Sequence, residues 1–500
     1  MSDDKALTGI AGLDDVLCGG LARDRLYLVE GAPGAGKTTI GLQFLLEGAN
    51  RGEGCLYITL SETAAELSAV AVAHGWPLDG VELFEMSAVE DMLDAGQQQS
   101  LLYSSDLELG ETTRAVLDRI EASRPSRIVF DGLAEIRLLA QGPLRYRRQV
   151  LALKHYFATH GATVLLLDDM SAPDHDNQLH SIAHGVVRLE QLTPAYGAER
   201  RRLSVTKYRG TRYRGGYHDF TIVAGGLRVF PRLVAAEHHV PARCRTLDSG
   251  IAGLDALMGG GLAAGTSTLL TGPAGSGKSL IALHYAVRAA ERGGKAVAYL
   301  FDEDVNLLRE RARGLGIETA GHVESGRLTF KQVDAAELSP GEFAHEVVGQ
   351  IERGGADLVL VDSLNGYYAA MPEEQFLVLH MHELLSYLNR QGAITLLTMA
   401  QHGLIGDMRT PADLTYLSDS VVLLRFFEAA GRVRRAISAI KKRAGPHEDT
   451  IREFRLTAGG LQVGAPLEDF HGVLRGIPTY VGQGGPLLGG PAADGAAGTP

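Results

Sequence analysis

The pattern G-x-x-x-x-G-K-[ST] occurs twice in this chain, in register within a longer repeat, and no other feature restricts its possible folds as much. Residues 31–38 read Gly-Ala-Pro-Gly-Ala-Gly-Lys-Thr, and residues 272–279 read Gly-Pro-Ala-Gly-Ser-Gly-Lys-Ser. In such a loop the glycines let backbone N–H groups close on phosphate oxygens. The lysine reaches the outer phosphates and the hydroxyl ligates Mg2+. One match can arise by accident, but two in equivalent positions point to a chain that binds nucleotide twice. The candidate phosphate-binding residues are Gly34, Ala35, Gly36, Lys37, Thr38 and Thr39, then Gly275, Ser276, Gly277, Lys278, Ser279 and Leu280.

The repeat sets the domain organisation. A shift of 241 residues (250 less 9) carries the run G-I-A-G-L-D from Gly9 to Gly250, Lys37 to Lys278 and Glu62 to Glu303. Asp131 pairs with Asp362 at a slightly smaller shift, a difference that loop insertions explain. So long a period means duplicated domains, expected at 1–232 and 246–465 with a connector at 233–245. Residues 466–500 form an exit segment and then a Gly/Pro/Ala-rich tail, whose composition predicts disorder.

Within each copy, short apolar runs alternate with helical stretches. The runs lie at 25–30, 55–60, 127–131 and 162–167, then at 267–271, 296–300, 358–362 and 394–398. Strands apolar on both faces predict an α/β fold with a mostly parallel sheet covered by helices. Ligands bind at the carboxyl ends of such strands. Both loops end there, as do Asp131 and Asp362, the candidate Mg2+ acids beside Thr38 and Ser279. A strand-end aspartate also serves as a turn former, but its recurrence after a phosphate loop in both copies favours the metal role.

Hydrolysis needs a carboxylate to orient or deprotonate water. The first copy offers Ser61-Glu62 and the second Asp302-Glu303. The competing reading makes Glu62 and Glu303 helix-dipole charges. Basic clusters stand late in each copy: Arg200, Arg201 and Arg202 with Lys207 and Arg209, and Arg434 and Arg435 with Lys441 and Arg443. They read as a charged sheet edge, as donors to a neighbouring subunit's γ-phosphate, or as a nucleic-acid track with Arg145, Arg147, Arg148, Arg212 and Arg214. Contact with the neighbour's nucleotide is favoured. A net charge of −12 weighs against nucleic acid and anionic membranes.

Three well-separated cysteines, Cys18, Cys55 and Cys244, fit no disulfide framework and suggest a reducing cytoplasm. No apolar run reaches the roughly 18 residues of a membrane span, and the amino terminus lacks a secretion pattern.

The G-I-x-G-L-D entry, the two loops, the late Lys-x-Arg and the Ile-Arg-Glu-Phe run at 451–454 together resemble the KaiC family, from residue 7 to about 480. The resemblance implies two tandem RecA-like P-loop NTPase domains. It also implies a hexamer of stacked rings, with ATP and Mg2+ in clefts between subunits. Lys37, Thr38, Lys278 and Ser279 would act in cis, and Lys207, Arg209, Lys441 and Arg443 in trans. In the family the second ring phosphorylates itself, using the paired acid as base. The matching acceptors here are Thr415, Tyr416 and Ser418.

Four departures place the chain outside the core clock set. Tyr416 stands where the family has threonine, Ser61 where an acid is expected, and Asp302 in place of glutamate. Ala444-Gly445-Pro446 replaces a more polar stretch. They predict slow hydrolysis, with the first copy mainly holding ATP for assembly and the second hydrolysing it, in a protein that signals through its nucleotide state. The rival from another class is a RecA-like ATPase stimulated by nucleic acid, a recombinase or motor; a third reading is a scaffold that holds nucleotide without turnover.

Overall fold

Buried runs of leucine, valine and isoleucine become the central strands of both halves. The structure, a computed structural model, describes residues 5–86, 101–170, 177–194, 197–238, 245–334, 336–369, 377–401, 415–429, 431–475 and 479–480. The tail expected to be disordered therefore lies outside the described residues from 481 on, as do 239–244 of the connector. The chain divides into two units, residues 1–232 and 233–500. Residues 233–238 belong to the second, where Ala235 is buried and its N–H is held by Glu383 at 3.1 Å.

The first unit's sheet contains β1 (Leu26–Gly31), β2 (Cys55–Thr59), β3 (Val81–Glu85), β4 (Arg127–Asp131), β5 (Thr163–Asp168), β6 (Gly185–Leu192), β7 (Arg200–Tyr208), β8 (Tyr217–Val223) and β9 (Gly226–Phe230). Their order is β9-β8-β7-β6-β1-β5-β4-β2-β3. From β6 to β3 neighbours run parallel, and β6 to β9 form an antiparallel wing. Alternate residues bury on opposite faces. Tyr27, Val29, Tyr57, Val129 and Leu165 pack with Ile40 and Phe44 of the helix Lys37–Asn50. Leu28, Leu56, Ile58, Ile128 and Phe130 pack on the other side with Ile120, Val150 and Phe157.

The second unit repeats this plan with β10 (Ser267–Gly272), β11 (Ala296–Leu300), β12 (Leu328–Gln332), β13 (Leu358–Asp362), β14 (Ile394–Ala400), β15 (Ser420–Ala429), β16 (Arg432–Lys442), β17 (Ile451–Thr457) and β18 (Gly460–Pro466). The order is β12-β11-β13-β14-β10-β15-β16-β17-β18. The exit segment packs on this unit through Val473, buried against Phe427 and Ala436.

One of the three readings of the basic clusters is excluded here. β7 and β16 each have strands on both sides, so the basic clusters they carry do not guard a sheet edge. Arg202 instead pairs with Glu190 across β6–β7 at 2.8 Å, and Arg434 pairs with Glu453 across β16–β17 at 2.9 Å.

Candidate nucleotide sites

The two loops are built alike. A fully buried strand, β1 or β10, runs into each, and a 14-residue helix leaves at Lys37 or Lys278. Gly36 (φ 102°) and Gly277 (φ 105°) precede those helices in left-handed conformations. A Cβ there would meet the tip of Ile222 at 2.8 Å or Phe454 at 3.0 Å, so the space is tight and the backbone angle favours glycine. Gly34 and Gly275 also have positive φ. Ala35, Thr39, Ser276 and Leu280 are buried; the Ala35 and Ser276 N–H groups bond the Ala32 and Pro273 carbonyls at 3.1 and 3.3 Å, while those of the first helical turn face the place a phosphate would take.

Each loop lysine folds onto its own loop. Lys37 Nζ donates to the Gly31 and Ala32 carbonyls at 2.9 and 3.1 Å. Lys278 Nζ donates to those of Gly272 and Pro273 at 3.0 and 2.8 Å. Their electrostatic surroundings differ. Burial pulls the Lys37 amine down, opposed by Asp131, Asp169, Asp168 and Glu62. Burial pulls Lys278 down to about 8, with Asp362 opposing.

In the first site burial pushes Asp131 up to about 6, against a 2.8 Å hydrogen bond from the Tyr57 hydroxyl. Burial also raises Glu62, against a 3.4 Å contact from Thr38 Oγ1. Glu62 Oε2 is buried without a donor. In the second site Asp362 accepts a hydrogen bond from Thr398 Oγ1, and its Oδ2 is buried without a donor. A buried carboxylate oxygen lacking a donor, close to a loop hydroxyl in the first site, suits a hard cation such as Mg2+ that completes its shell with phosphate and water. Ser279 with Asp362 would hold it in the second site; in the first, Thr38 with Asp131 are the sequence candidates, and the donorless oxygen beside Thr38 is that of Glu62.

Neither candidate catalytic glutamate caps its helix. Thr63 caps Ala64–His74 in a capping box with Glu66, and Asp304 caps Val305–Arg313 by accepting from the N–H groups of Asn306 and Leu307. Glu62 turns toward Thr38. Glu303 is instead gripped at both oxygens by Arg311, at 2.7 and 2.8 Å. Burial raises the Glu303 carboxyl, and Arg311 pulls it back. Asp302 accepts a hydrogen bond from Ser363 Oγ.

The late Lys-x-Arg pairs stand away from the loop of their own unit. Lys207 is paired with Val186, which lies beside Leu28. The Arg209 N–H bonds the His184 carbonyl, and the His184 N–H bonds that of Leu26. At about 3.3 Å per residue, these levels lie roughly 10 and 16 Å back from Gly31 along β1. Lys441 and Arg443 stand at the same levels relative to Gly272, beside Val421 and Asp419. Lys207 and Arg209 donate to the carbonyls of His180 and Ser181. Lys441 holds those of Thr415 and Ser418 at 2.8 and 2.7 Å, and Arg443 that of Tyr416 at 3.2 Å. Of the candidate acceptors, Thr415 and Tyr416 are exposed and Ser418 is fully buried.

Sequence reasoning missed Tyr57, Thr398, Arg311 and Asp168, the last paired with Arg137 at 3.0 Å. A polar residue inside an otherwise apolar strand marks the first two. Arg311 leaves no such trace.

Two phosphate loops, each following the central strand of its own nine-stranded sheet with a carboxylate at another strand's end, define a tandem P-loop nucleoside triphosphatase. The family described as "ATPase: KaiC" matches residues 6–234 and again 247–468, and the chain belongs to that family. It is similar to the circadian clock protein KaiC3 of Synechocystis sp. (strain ATCC 27184 / PCC 6803 / Kazusa), 27% identical over 490 residues, covering 96% of this chain and 95% of that protein. It is also similar to the circadian clock oscillator protein KaiC of Acaryochloris marina (strain MBIC 11017), 25% identical over 489 residues, covering 95% and 92%. The two units are thus tandem RecA-like domains of a KaiC-like ATPase.

Proposed function

We propose that this ATPase binds ATP with Mg2+ in both domains, assembles into a ring, six-membered as the family resemblance implies, and signals through its nucleotide state. One observation carries the assembly. In both domains the Lys-x-Arg pair stands toward the amino ends of the parallel strands, too far back for Arg209 or Arg443 to meet a phosphate on its own loop. The pairs serve a γ-phosphate only when it is bound to another chain.

Mg2+ bound with ATP offsets phosphate charge. The protein's residues do the rest: the loop N–H groups and Lys37 or Lys278 hold the phosphates, while Thr38 with Asp131, or Ser279 with Asp362, hold the ion. Glu62 orients water in the first domain. Geometry favours hydrolysis there over the second domain, the reverse of the division expected from the acid pair, because Glu62 lies beside Thr38 while Glu303 and Asp302 are engaged by Arg311 and Ser363. For self-phosphorylation in the second domain, exposure favours Thr415 and Tyr416 over the buried Ser418. Arg202 and Arg434 are engaged in cross-strand ion pairs, which weakens the nucleic-acid reading. Among the described residues no helix is long and apolar enough to cross a membrane.

Size-exclusion with light scattering, with and without ATP and Mg2+, followed by phosphate release on the same fractions, tests this reading. A nucleotide-dependent ring with slow turnover, most of it lost in Glu62→Gln, is expected. A monomer that takes up no ATP overturns it.

A further inference from the structure

The helix Val305–Arg313 ends with a basic residue reaching back over its own start. Arg311 places both Nη atoms on the Glu303 carboxylate, Nη1 to Oε1 at 2.7 Å and Nη2 to Oε2 at 2.8 Å. This two-point fork is the strongest geometry for a guanidinium and a carboxylate. The repeat supplies an internal control. The 241-residue shift that takes Glu62 to Glu303 takes Val70 to Arg311. Val70 packs against the first domain's core, and no fork can form there. The glutamate that lacks the arginine lies 3.4 Å from the loop hydroxyl of Thr38.

The fork is not needed to start the helix, because Asp304 already caps it. Nor is it a buried structural pair: Arg311 is 45% exposed and Glu303 20% exposed. Such a contact is weak enough to open and strong enough to bias where the carboxylate rests. Glu303 lies near enough to Asp362 for the two negative charges to repel, so the carboxylate belongs to the nucleotide site even while Arg311 holds it. A base must reach its water within hydrogen-bond distance. Paired in two places with arginine, the carboxylate has both oxygens engaged, and Arg311 pulls down the proton affinity that burial raises.

We infer that Arg311 is a positioning residue that restrains hydrolysis in the second domain by holding Glu303 out of its water-orienting position. The inference rests on Glu303 being that domain's acid. Opening the fork releases the carboxylate, which then accepts a proton from the attacking water as the water oxygen bonds to the γ-phosphorus and the ADP oxygen leaves.

The test is phosphate release from full-length protein carrying Glu62→Gln, which removes the first domain's acid but keeps its nucleotide. Against this background Arg311→Val, the residue the first copy carries, raises kcat about fivefold with KM for ATP little changed. Arg311→Lys, which keeps one contact, falls between. Adding Glu303→Gln abolishes both the basal rate and the gain. A drop in rate or a rise in KM on Arg311→Val, with the thermal transition intact, means that Arg311 binds phosphate and overturns the inference. An unchanged kcat also overturns it. If Glu303→Gln alone leaves the Glu62→Gln rate intact, the acid assignment itself has failed, an outcome separable from failure of the restraint. Unfolding of Arg311→Val leaves Arg311→Lys as the deciding variant: a kcat no higher than that of the Glu62→Gln background refutes the restraint.

Discussion

Consider a ring in which the P-loop and the basic finger of each active site come from different chains. Two defects then complement each other in mixtures. Take Glu62→Gln, which keeps the first domain's ATP but removes its acid, and Arg209→Ala, which removes the finger, both in a Glu303→Gln background that silences the second domain. Arg209 stands level with Leu26 through the chain of backbone bonds by way of His184, roughly 16 Å along β1 from Gly31. It therefore cannot serve its own loop. Loss of such a finger lowers the rate by about 10³-fold or more, so each parent is inactive. In a heterologous ring every interface takes one face from each neighbour, so an equal mixture has both parts intact at about one quarter of its interfaces. Phosphate release should recover to about a quarter of the Glu303→Gln rate, with subunit exchange followed by fluorescence transfer between labelled chains. If Arg209 acts in cis, no protomer in the mixture is whole and nothing is recovered. A mixture that exchanges subunits fully yet stays at the mean of its parents refutes the reasoning.

Three further outcomes follow from buried charge. Arg127 is wholly buried, donating to Glu53 at 2.7 Å and to the Leu7 and Phe44 carbonyls at 2.7 and 2.9 Å. Arg127→Ala leaves Glu53 to Arg23 alone and takes the side-chain donor from the Leu7 and Phe44 carbonyls, and should cost about 3 kcal/mol, read as a lowered urea midpoint for the first domain's transition. Burial would raise Glu53, but hydrogen bonds from Arg127 and Arg23 overcome it and hold the carboxyl at about 2, below its ordinary 4.5. Its folded-state value being depressed, its stabilisation is complete above pH 4.5 and fades as pH falls through 2. That contribution is on the order of 2 kcal/mol after solvent screening, visible as a steeper acid transition than in Glu53→Gln. Lys278, drawn down to about 8 by burial, is neutral above that pH and must regain a proton to meet phosphate. ATP binding to the second site should weaken as pH rises past 8 with proton uptake, measured calorimetrically in buffers of different ionisation heat, and the uptake should vanish in Lys278→Arg.

The central strands were legible because a parallel strand buried on both faces is an unbroken apolar run. The runs at 127–131, 296–300 and 358–362 match β4, β11 and β13 to the residue. The loops were legible because their chemistry is local. The antiparallel wings were not, since their register depends on turns and on a bulge between Val186 and Val187, and a one-residue slip would change every cross-strand pair. The arginine clusters were therefore visible as charge but not as partners of Glu190 and Glu453. The Tyr57–Asp131 bond joins residues 74 apart, and periodicity carries no information about such a contact. Arg311 was hidden for a related reason. It meets Glu303 only because a nine-residue helix brings its last turn's side chain back over its start.

The two domains share one backbone plan, so their differences in chemistry lie in a few side chains, and those differences are consistent in direction. Around Lys37 the structure gathers Asp131, Asp168, Asp169 and Glu62, while Asp362 is the charge opposing burial at Lys278. Burial lifts the first site's Asp131 to about 6 with Glu62 adding to the rise, an electrostatic tension that a bound divalent cation relieves. A site that concentrates negative charge in the absence of cation gains more from Mg2+ than one that does not, and its free carboxylate is already beside the loop hydroxyl. The second site has less charge to relieve, and its glutamate is neutralised by an arginine from the same chain. Such changes give two domains of one topology different charge around the phosphate loop, which is the difference that separate Glu62→Gln and Glu303→Gln phosphate-release rates would read.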